Sequence, residues 1–124
     1  MWQTFNKEAI LPFFADDCVY EDVALGIINS GKGEVGKFIE DSLVAFSDFK
    51  VETKSVFSSD NKKLVSEWVI SGIHTGDFPG LPATGKSFSV RGVSIIEFQD
   101  GKIRRITDYW NLASFLEQVG AMKL

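Results

Sequence analysis

Apolar residues recur along this chain with two different periods, and the period changes after Phe46. Over residues 34–46 they fall at helical spacing, which predicts an amphipathic helix. Over residues 49–57 apolar and small residues alternate with charged ones, which predicts a strand. Earlier in the chain, the pattern predicts a short helix over residues 6–14, with Asn6 as its N-cap, and a short strand over residues 18–22.

Longer strands are predicted in the second half of the chain, over residues 64–75, 87–98 and 103–110. Asp100-Gly101 is typical of a two-residue hairpin turn, and Asn111 can cap a closing helix over residues 112–119. This order predicts a single α+β domain. It would be a cone-shaped fold, in which helices pack on the concave face of a strongly bent antiparallel sheet and leave a pocket at the open end.

Composition narrows the function classes. The 124 residues are 44% hydrophobic and 24% charged, which is typical of one globular domain and excludes intrinsic disorder. Aromatic residues make up 13% of the chain, and eleven of them are Phe. A small core does not need so many, and a small apolar molecule in a pocket would account for the surplus.

Charge and single residues exclude further chemistry. The net charge is −4 with no dense basic cluster, so we expect no nucleic-acid partner. No apolar run approaches the about 18 residues of a membrane span, and the first residues lack a signal-peptide pattern, so a cytoplasmic protein without a membrane partner is expected. One cysteine, Cys18, and one histidine, His74, exclude a disulfide and the usual zinc sites, so neither a metal nor another cofactor is expected.

Asp108 is the most informative residue for chemistry. It lies between Ile106 and Trp110 on one side of the last predicted strand. On a covered face it would be desolvated, which raises a carboxyl pKa and favours proton transfer. The other interpretation is that this face is solvated, or that Asp108 pairs with an arginine.

The hairpin register decides what faces Asp108, and the sequence leaves two registers open. A regular two-residue turn places Val93 opposite Asp108 and Arg91 diagonal to it, where Arg91 could bind a substrate anion. A three-residue turn with a bulge places Gly92 beside Asp108 instead.

Three other side chains are candidates for the site. His74 ends a long strand before a Gly/Pro-rich loop, where it could be an acid, a base or a donor, or a rim histidine that binds backbone. Trp68 is an even number of residues from His74 in the same predicted strand, so the two would lie on one face. Trp68 is either a core residue or a platform for a ligand. Tyr20 could offer its phenol to a substrate oxygen or be structural.

Several segments resemble one family. HTGDFPGLPATGK at residues 74–86 resembles the HTG-x-F-x-G-x-PPTG-K stretch of the SnoaL-like polyketide cyclases. FADDCVYED at residues 14–22 matches their F-A-D-D-x-V-x-x-D segment, and RGVS, FQDGKI, DYWN and QVG at residues 91–94, 98–103, 108–111 and 118–120 are similar as well. The resemblance spans nearly the whole chain. It implies the cone-shaped fold of nuclear transport factor 2 and ketosteroid isomerase.

The resemblance also implies a cofactor-independent acid/base enzyme, like a polyketide cyclase or an isomerase, that acts on an apolar carbonyl compound, polycyclic ones included. On this hypothesis Asp108 is the acid/base group, and His74 or Tyr20 is the donor. The pocket would be lined by Phe14, Tyr20, Trp68, Arg91 and Trp110. Relatives commonly carry an acidic residue where Asn111 stands, so the family's carboxylate maps either to Asp108 or to that position.

The alternative belongs to another class: a non-catalytic small-molecule-binding or dimerisation module of the same fold. Asp108 buried in a deep cavity near His74 would favour the enzyme, and a cavity filled by Phe and Trp would favour the module. In the two-residue-turn register, the outer face of the sheet would show Ile96, Phe98, Ile103 and Tyr109. An apolar sheet face of this kind predicts a homodimer.

Overall fold

A computed structural model describes residues 7–59, 62–78 and 80–122, so the predicted cap Asn6 lies outside the described residues. The helices and strands are α1 (Lys7–Ile10), a 3₁₀ turn (Leu11–Phe13), β1 (Phe14–Asp22), β2 (Ile27–Ser30), α2 (Gly31–Ala45), β3 (Phe46–Ser59), β4 (Lys63–His74), β5 (Ser87–Gln99), β6 (Lys102–Trp110) and α3 (Leu112–Gln118). The sequence pattern did not predict β2, which is only four residues long. The predicted first helix is shorter than expected, because α1 ends at Ile10 and the 3₁₀ turn that contains Pro12 follows it.

One curved sheet carries the six strands in the order β2-β1-β6-β5-β4-β3. Neighbouring strands are antiparallel except β1 and β6, which are parallel. Helix α2 packs on β1, β2 and β3, and α3 packs on β5. The predicted α+β fold is confirmed. The parallel pair was not predicted, because it joins distant parts of the chain and leaves no local turn signal.

Two apolar clusters lie between the sheet and the helices. The first includes Phe14, Val35, Ile39, Ile96 and Ile106, which bury α2 against β1, β5 and β6. The second is aromatic and centres on the ring of Phe46, which lies 4.9 Å from Phe88 and 5.9 Å from Phe115 between centroids. The second cluster accounts for part of the surplus of Phe.

The hairpin between β5 and β6 differs from both predicted registers. Gln99 and Lys102 flank the two-residue turn Asp100-Gly101, whose φ angles of 52° and 75° suit a type I′ turn. A bulge follows immediately, because Phe98 pairs with Ile103 but Glu97 pairs with Arg105. The register therefore shifts by one residue, and Ser94 lies opposite Asp108.

This shift also changes which residues face outward. Ile96 and Ile103 are buried in the first cluster under the helices, and Phe98 packs against that cluster, so the prediction that these three lie on the outer face is wrong. Tyr109 does lie there and is 46% exposed. The outer face instead carries half-buried aliphatic residues that alternate with the inward-facing ones: Val65, Val69, Val93 and Ile95.

Two findings concern only the described part of the chain. None of its helices has the length and apolar character needed to cross a membrane. Nowhere in it do three or more His, Cys, Asp or Glu side chains come together as a metal site would require.

Candidate active site

The sheet, α2 and α3 surround a cavity of about 90 Å³ that opens to solvent. Most of its wall is apolar and includes Phe38, Phe46, Phe88, Trp68, Trp110 and Phe115. A few polar side chains interrupt this wall: Tyr20, Asp22, Ser42, Ser94 and Asp108. Three of these five, Tyr20, Ser94 and Asp108, are joined by hydrogen bonds at the centre of the sheet.

Asp108 is buried in this wall on β6. Its Oδ1 accepts a hydrogen bond from the Ser94 hydroxyl at 2.5 Å, and its Oδ2 accepts one from the Tyr20 hydroxyl. Burial raises the pKa of Asp108 to about 7, although the bonds from Ser94 and Tyr20 oppose the rise. Asp108 can therefore hold a proton near neutral pH and still release it.

Trp68 positions the Ser94 hydroxyl group through a hydrogen bond. The Trp68 Nε1 atom donates to Ser94 Oγ at 2.8 Å. The ring can lie there because residue 92 is glycine: a Cβ on Gly92 would come within 2.3 Å of the Trp68 ring. The indole wall and the bond to Asp108 thus depend on a small residue in the neighbouring strand.

Asp22 is a second buried carboxyl group in the same wall, and the sequence pattern did not predict it as a site residue. The parallel pairing of β1 and β6 sets Asp22 directly beside Asp108 in register. Trp110 Nε1 donates to both oxygens of Asp22 at 3.0 Å, and the Leu25 backbone N–H donates to Oδ1 at 2.9 Å. Burial raises the pKa of Asp22, while these N–H donors lower it. The only indication of Asp22 in the sequence is that it ends the FADDCVYED segment, which resembles a segment of the family.

His74 lies outside the cavity wall. It is completely buried, because the residues after it fold back over it. The backbone N–H of His74 donates to Lys86 O at 2.9 Å, and its backbone carbonyl accepts from Gly85 N at 2.7 Å. Its Nδ1 lies 3.1 Å from Thr84 Oγ1, and its ring packs against Phe46. The expectation of a rim histidine is therefore corrected, and the structure does not bring His74 to Asp108.

Two further candidates also lie elsewhere. Arg91 is exposed on the outer face, where its Nη2 is 3.4 Å from Glu67 Oε2, because the shifted register turns it away from the cavity. Phe14 belongs to the first apolar cluster and does not line the cavity, because it stands at the far end of β1 from Tyr20. The predictions that Arg91 and Phe14 line the pocket are wrong.

Asn111 has a structural role, since its side chain accepts the Ser114 N–H at 2.9 Å and caps α3. The carboxyl group that faces the cavity at this end of β6 is that of Asp108. Of the candidates from the sequence, Tyr20, Trp68, Asp108 and Trp110 meet in one wall.

This architecture is the ketosteroid isomerase-like fold, as solved structures show. A hypothetical protein with this fold from Catenulispora acidiphila, solved with trimethylamine, matches with a TM-score of 0.83 at 21% identity, over 98% of this chain and 87% of that one. A proposed SnoaL-like polyketide cyclase from Jannaschia sp. CCS1 matches with a TM-score of 0.84 at 15% identity, over 94% and 80% of the two chains. At these identities the likeness concerns the fold.

The family follows from the sequence itself. Residues 1–119 match the profile of the SnoaL-like polyketide cyclases, and the chain belongs to this family. A proposed polyketide cyclase from Xanthomonas campestris pv. campestris has a similar structure, with a TM-score of 0.80 and 23% identity over 95% of this chain and 90% of that one. Among proteins with curated descriptions, none matches.

Proposed function

We propose that this protein is an acid/base enzyme that needs no cofactor and catalyses ring closure or isomerisation of an apolar carbonyl compound, polycyclic ones included. The observation that carries the proposal is Asp108, a buried carboxyl group held by two hydroxyl donors in an apolar cavity. Such a group donates and accepts protons near neutral pH, since its pKa is raised to about 7. The aromatic walls Trp68 and Trp110 would bind the flat faces of the substrate.

The partners of the two carboxyl groups suggest different roles. Asp22 is held by N–H donors, which favour its ionised form and cannot accept a hydrogen bond from its protonated form. Asp108 is held by hydroxyl groups, which can donate to a carboxylate or accept from a protonated carboxyl. We therefore assign Asp22 as the base and Asp108 as the acid, as expected for neighbouring groups in unlike surroundings.

Ring closure would proceed by two proton transfers. The Asp22 carboxylate removes a proton from a carbon next to a carbonyl group, and the resulting enolate carbon bonds to a second carbonyl carbon. The oxygen of that second carbonyl takes the proton of Asp108. Asp22 then carries a proton and Asp108 is ionised, so a proton passed between them through water at the cavity mouth restores the starting state.

The second candidate is a non-catalytic module that binds a small apolar molecule. The observation that favours it is the aromatic packing on one side of the cavity, where Phe115 lies 4.9 Å from Phe88 and 5.8 Å from Trp110 between ring centroids. A ligand stacked on this wall would be held without any chemistry at Asp108.

Proton exchange on a simple ketone separates the two candidates. We expect the protein to accelerate exchange of the acidic CH₂ protons of 2-tetralone in D₂O, followed by NMR. Asp22→Asn should reduce this rate about 100-fold or more, which is the scale of general base catalysis. Glu67→Gln on the outer face is the matched control and should leave the rate unchanged. Binding of 2-tetralone without accelerated exchange would support the module.

We also propose a homodimer that uses the outer face of the sheet. The aliphatic residues Val65, Val69, Val93 and Ile95 form its centre, and the Glu67–Arg91 pair lies among them. Opposite charges within one patch suit a two-fold axis, because each arginine can meet a glutamate of the second copy. Burial of the aliphatic groups, at about 25 cal/mol per Å² of apolar area, would favour association.

A further inference from the structure

A second cavity adjoins the first on the far side of Phe38. It lies between β2 and α2 and has a volume of about 270 Å³. Phe38, Ser42 and Phe78 line both cavities, so the two cavities adjoin at these residues. Several polar side chains line the second cavity: Asn29, Glu34, Lys37, Asp41 and Ser42.

Asn29 links this second cavity to the proposed acid. It pairs directly with Tyr20 across β1 and β2, so the two side chains lie on the same face of the sheet, with Cβ atoms about 5 Å apart. Tyr20 in turn binds Asp108 and packs on Phe38 at 5.3 Å between ring centroids. A ligand that touches Tyr20 is therefore one side chain away from Asn29.

The amide of Asn29 lacks an acceptor. Within residues 7–59, 62–78 and 80–122, its Nδ2 atom is buried and has no hydrogen-bond partner. Leaving a buried amide N–H unbonded is costly, and such groups call for a specific explanation. Asn29 lines the second cavity, where an oxygen atom of a ligand could accept these hydrogens.

The charges around Asn29 restrict that oxygen to a neutral group. Lys37 is already bound to Asp41, with Nζ at 3.0 Å from Oδ2. Glu34 accepts the Ser30 N–H at 2.8 Å. The two acids and one lysine leave the second cavity with a surplus negative charge, which disfavours a carboxylate or phosphate.

We propose that the second cavity is a subsite in which Asn29 binds a neutral hydrogen-bond acceptor of the ligand, such as a ketone or ether oxygen. The apolar body of the same ligand would occupy the first cavity, so this inference rests on the proposed function for the existence of that ligand. It adds the substrate class: an apolar carbonyl compound with a second, uncharged oxygen beyond the reacting one.

A set of naphthalene probes tests the subsite without any catalysis. The probes are 2,6-diacetylnaphthalene, 2-acetyl-6-ethylnaphthalene and 6-acetyl-2-naphthoate, and binding is measured by titration calorimetry. We expect the diacetyl probe to bind about tenfold more tightly than the acetyl-ethyl probe, as one good buried hydrogen bond would give. The naphthoate should bind more weakly than the diacetyl probe.

Two variants complete the test. Asn29→Leu keeps the approximate volume and removes the donor, so it should bring the ratio of the two neutral probes close to one. Asn29→Asp supplies only acceptors and should bind the diacetyl probe less well than wild type. Unchanged affinity of both variants for the acetyl-ethyl probe shows that the fold and the first cavity are intact.

Several results would overturn the inference. Equal binding of the two neutral probes by wild type, or an unchanged ratio in Asn29→Leu, would mean that Asn29 holds no ligand oxygen. Tighter binding of the naphthoate would mean an anion site instead. Failure of the acetyl-ethyl probe to bind wild type would contradict the proposed apolar-ligand cavity and, with it, the subsite. Binding of that probe by wild type without any preference for the diacetyl probe would contradict the subsite alone.

Discussion

Trp68 fixes the direction of the hydrogen bond between Ser94 and Asp108. The indole N–H can only donate, so Ser94 Oγ, at 2.8 Å, must accept from it. The hydroxyl hydrogen of Ser94 is then left to point to Asp108 Oδ1, 2.5 Å away. The ionised form of Asp108 thus gains support from a residue that it does not touch.

Trp68→Phe should raise the pKa of Asp108 above its value of about 7, because the Ser94 bond that lowers it is no longer oriented. The titration is followed by the carboxyl ¹³C shift of Asp108. Ser94→Ala should raise the pKa as well. In the Ser94→Ala background, Trp68→Phe should add little, since its effect acts through that hydroxyl. Additive shifts would mean that Trp68 acts only by packing.

Trp110→Phe should act on the other carboxyl group. It removes the N–H that both oxygens of Asp22 accept, so the pKa of Asp22 should rise. Less of the proposed base is then ionised at neutral pH, and 2-tetralone exchange should slow and recover as the pH is raised. Glu67→Gln on the outer face is the control, because Glu67 pairs with Arg91 and does not contact Asp22. A loss of exchange that no pH restores would contradict this assignment.

Asp108 should make the protein less stable as the pH rises. Its pKa is about 7 when folded, against an ordinary value of 3.8, so between these pH values the native state binds more protons than the unfolded state. The free energy of unfolding therefore falls with pH across this window. Asp108→Asn removes this cost. The gain in its free energy of unfolding over wild type should be about 2–4 kcal/mol larger at pH 8 than at pH 4. Urea unfolding at the two pH values measures it, and an equal pH dependence in both proteins would show that Asp108 does not titrate high.

Gly92→Ala should disrupt the Trp68 wall. The new methyl group would meet the indole ring at 2.3 Å, so the ring must move away from Ser94. We expect a loss of about 1–3 kcal/mol in the free energy of unfolding, typical of overpacking. Gly33→Ala in α2 is the control, because a Cβ there meets nothing within 4 Å and alanine favours a helix. Comparable stability of Gly92→Ala and wild type would show that Trp68 has room to shift.

The proposed dimer is tested by light scattering. Wild type at micromolar concentration should have twice the mass of one chain, and Val93→Glu should reduce it to a single mass. Val93 lies half-buried on the outer face and does not line the first cavity, so tetralone binding serves as the folding control. A monomeric wild type would refute the dimer.

The sequence predicted those parts of the fold that local periodicity determines. Helix α2 and strands β4, β5 and β6 follow from alternating or helical spacing, and Asn111 from its capping position. No such pattern predicts the bulge at Arg104. This bulge nevertheless determines that Ser94 faces Asp108 and that Arg91 faces outward. Register depends on contacts between strands, and a shift of one residue reverses every side chain beyond it.

The candidate site was predicted in part for the same reason. Asp108, Trp68 and Trp110 follow from alternation within single strands. Asp22 could not be placed, because its position beside Asp108 depends on the parallel pairing of β1 with β6. His74 was expected at the rim, since nothing local indicates that the residues after it would fold back and bury it.

The parallel pairing of β1 with β6 has a consequence for how the protein acquires its chemistry. Tyr20 and Asp108 are 88 residues apart, and so are Asp22 and Trp110. During synthesis β1 leaves the ribosome long before β6, and closing so long a loop is among the slower folding events. Until those first and last strands join, Asp22 and Asp108 are ordinary solvated acids. The unusual proton affinity therefore belongs to the completed chain alone, and an unfinished or cleaved copy does not carry it.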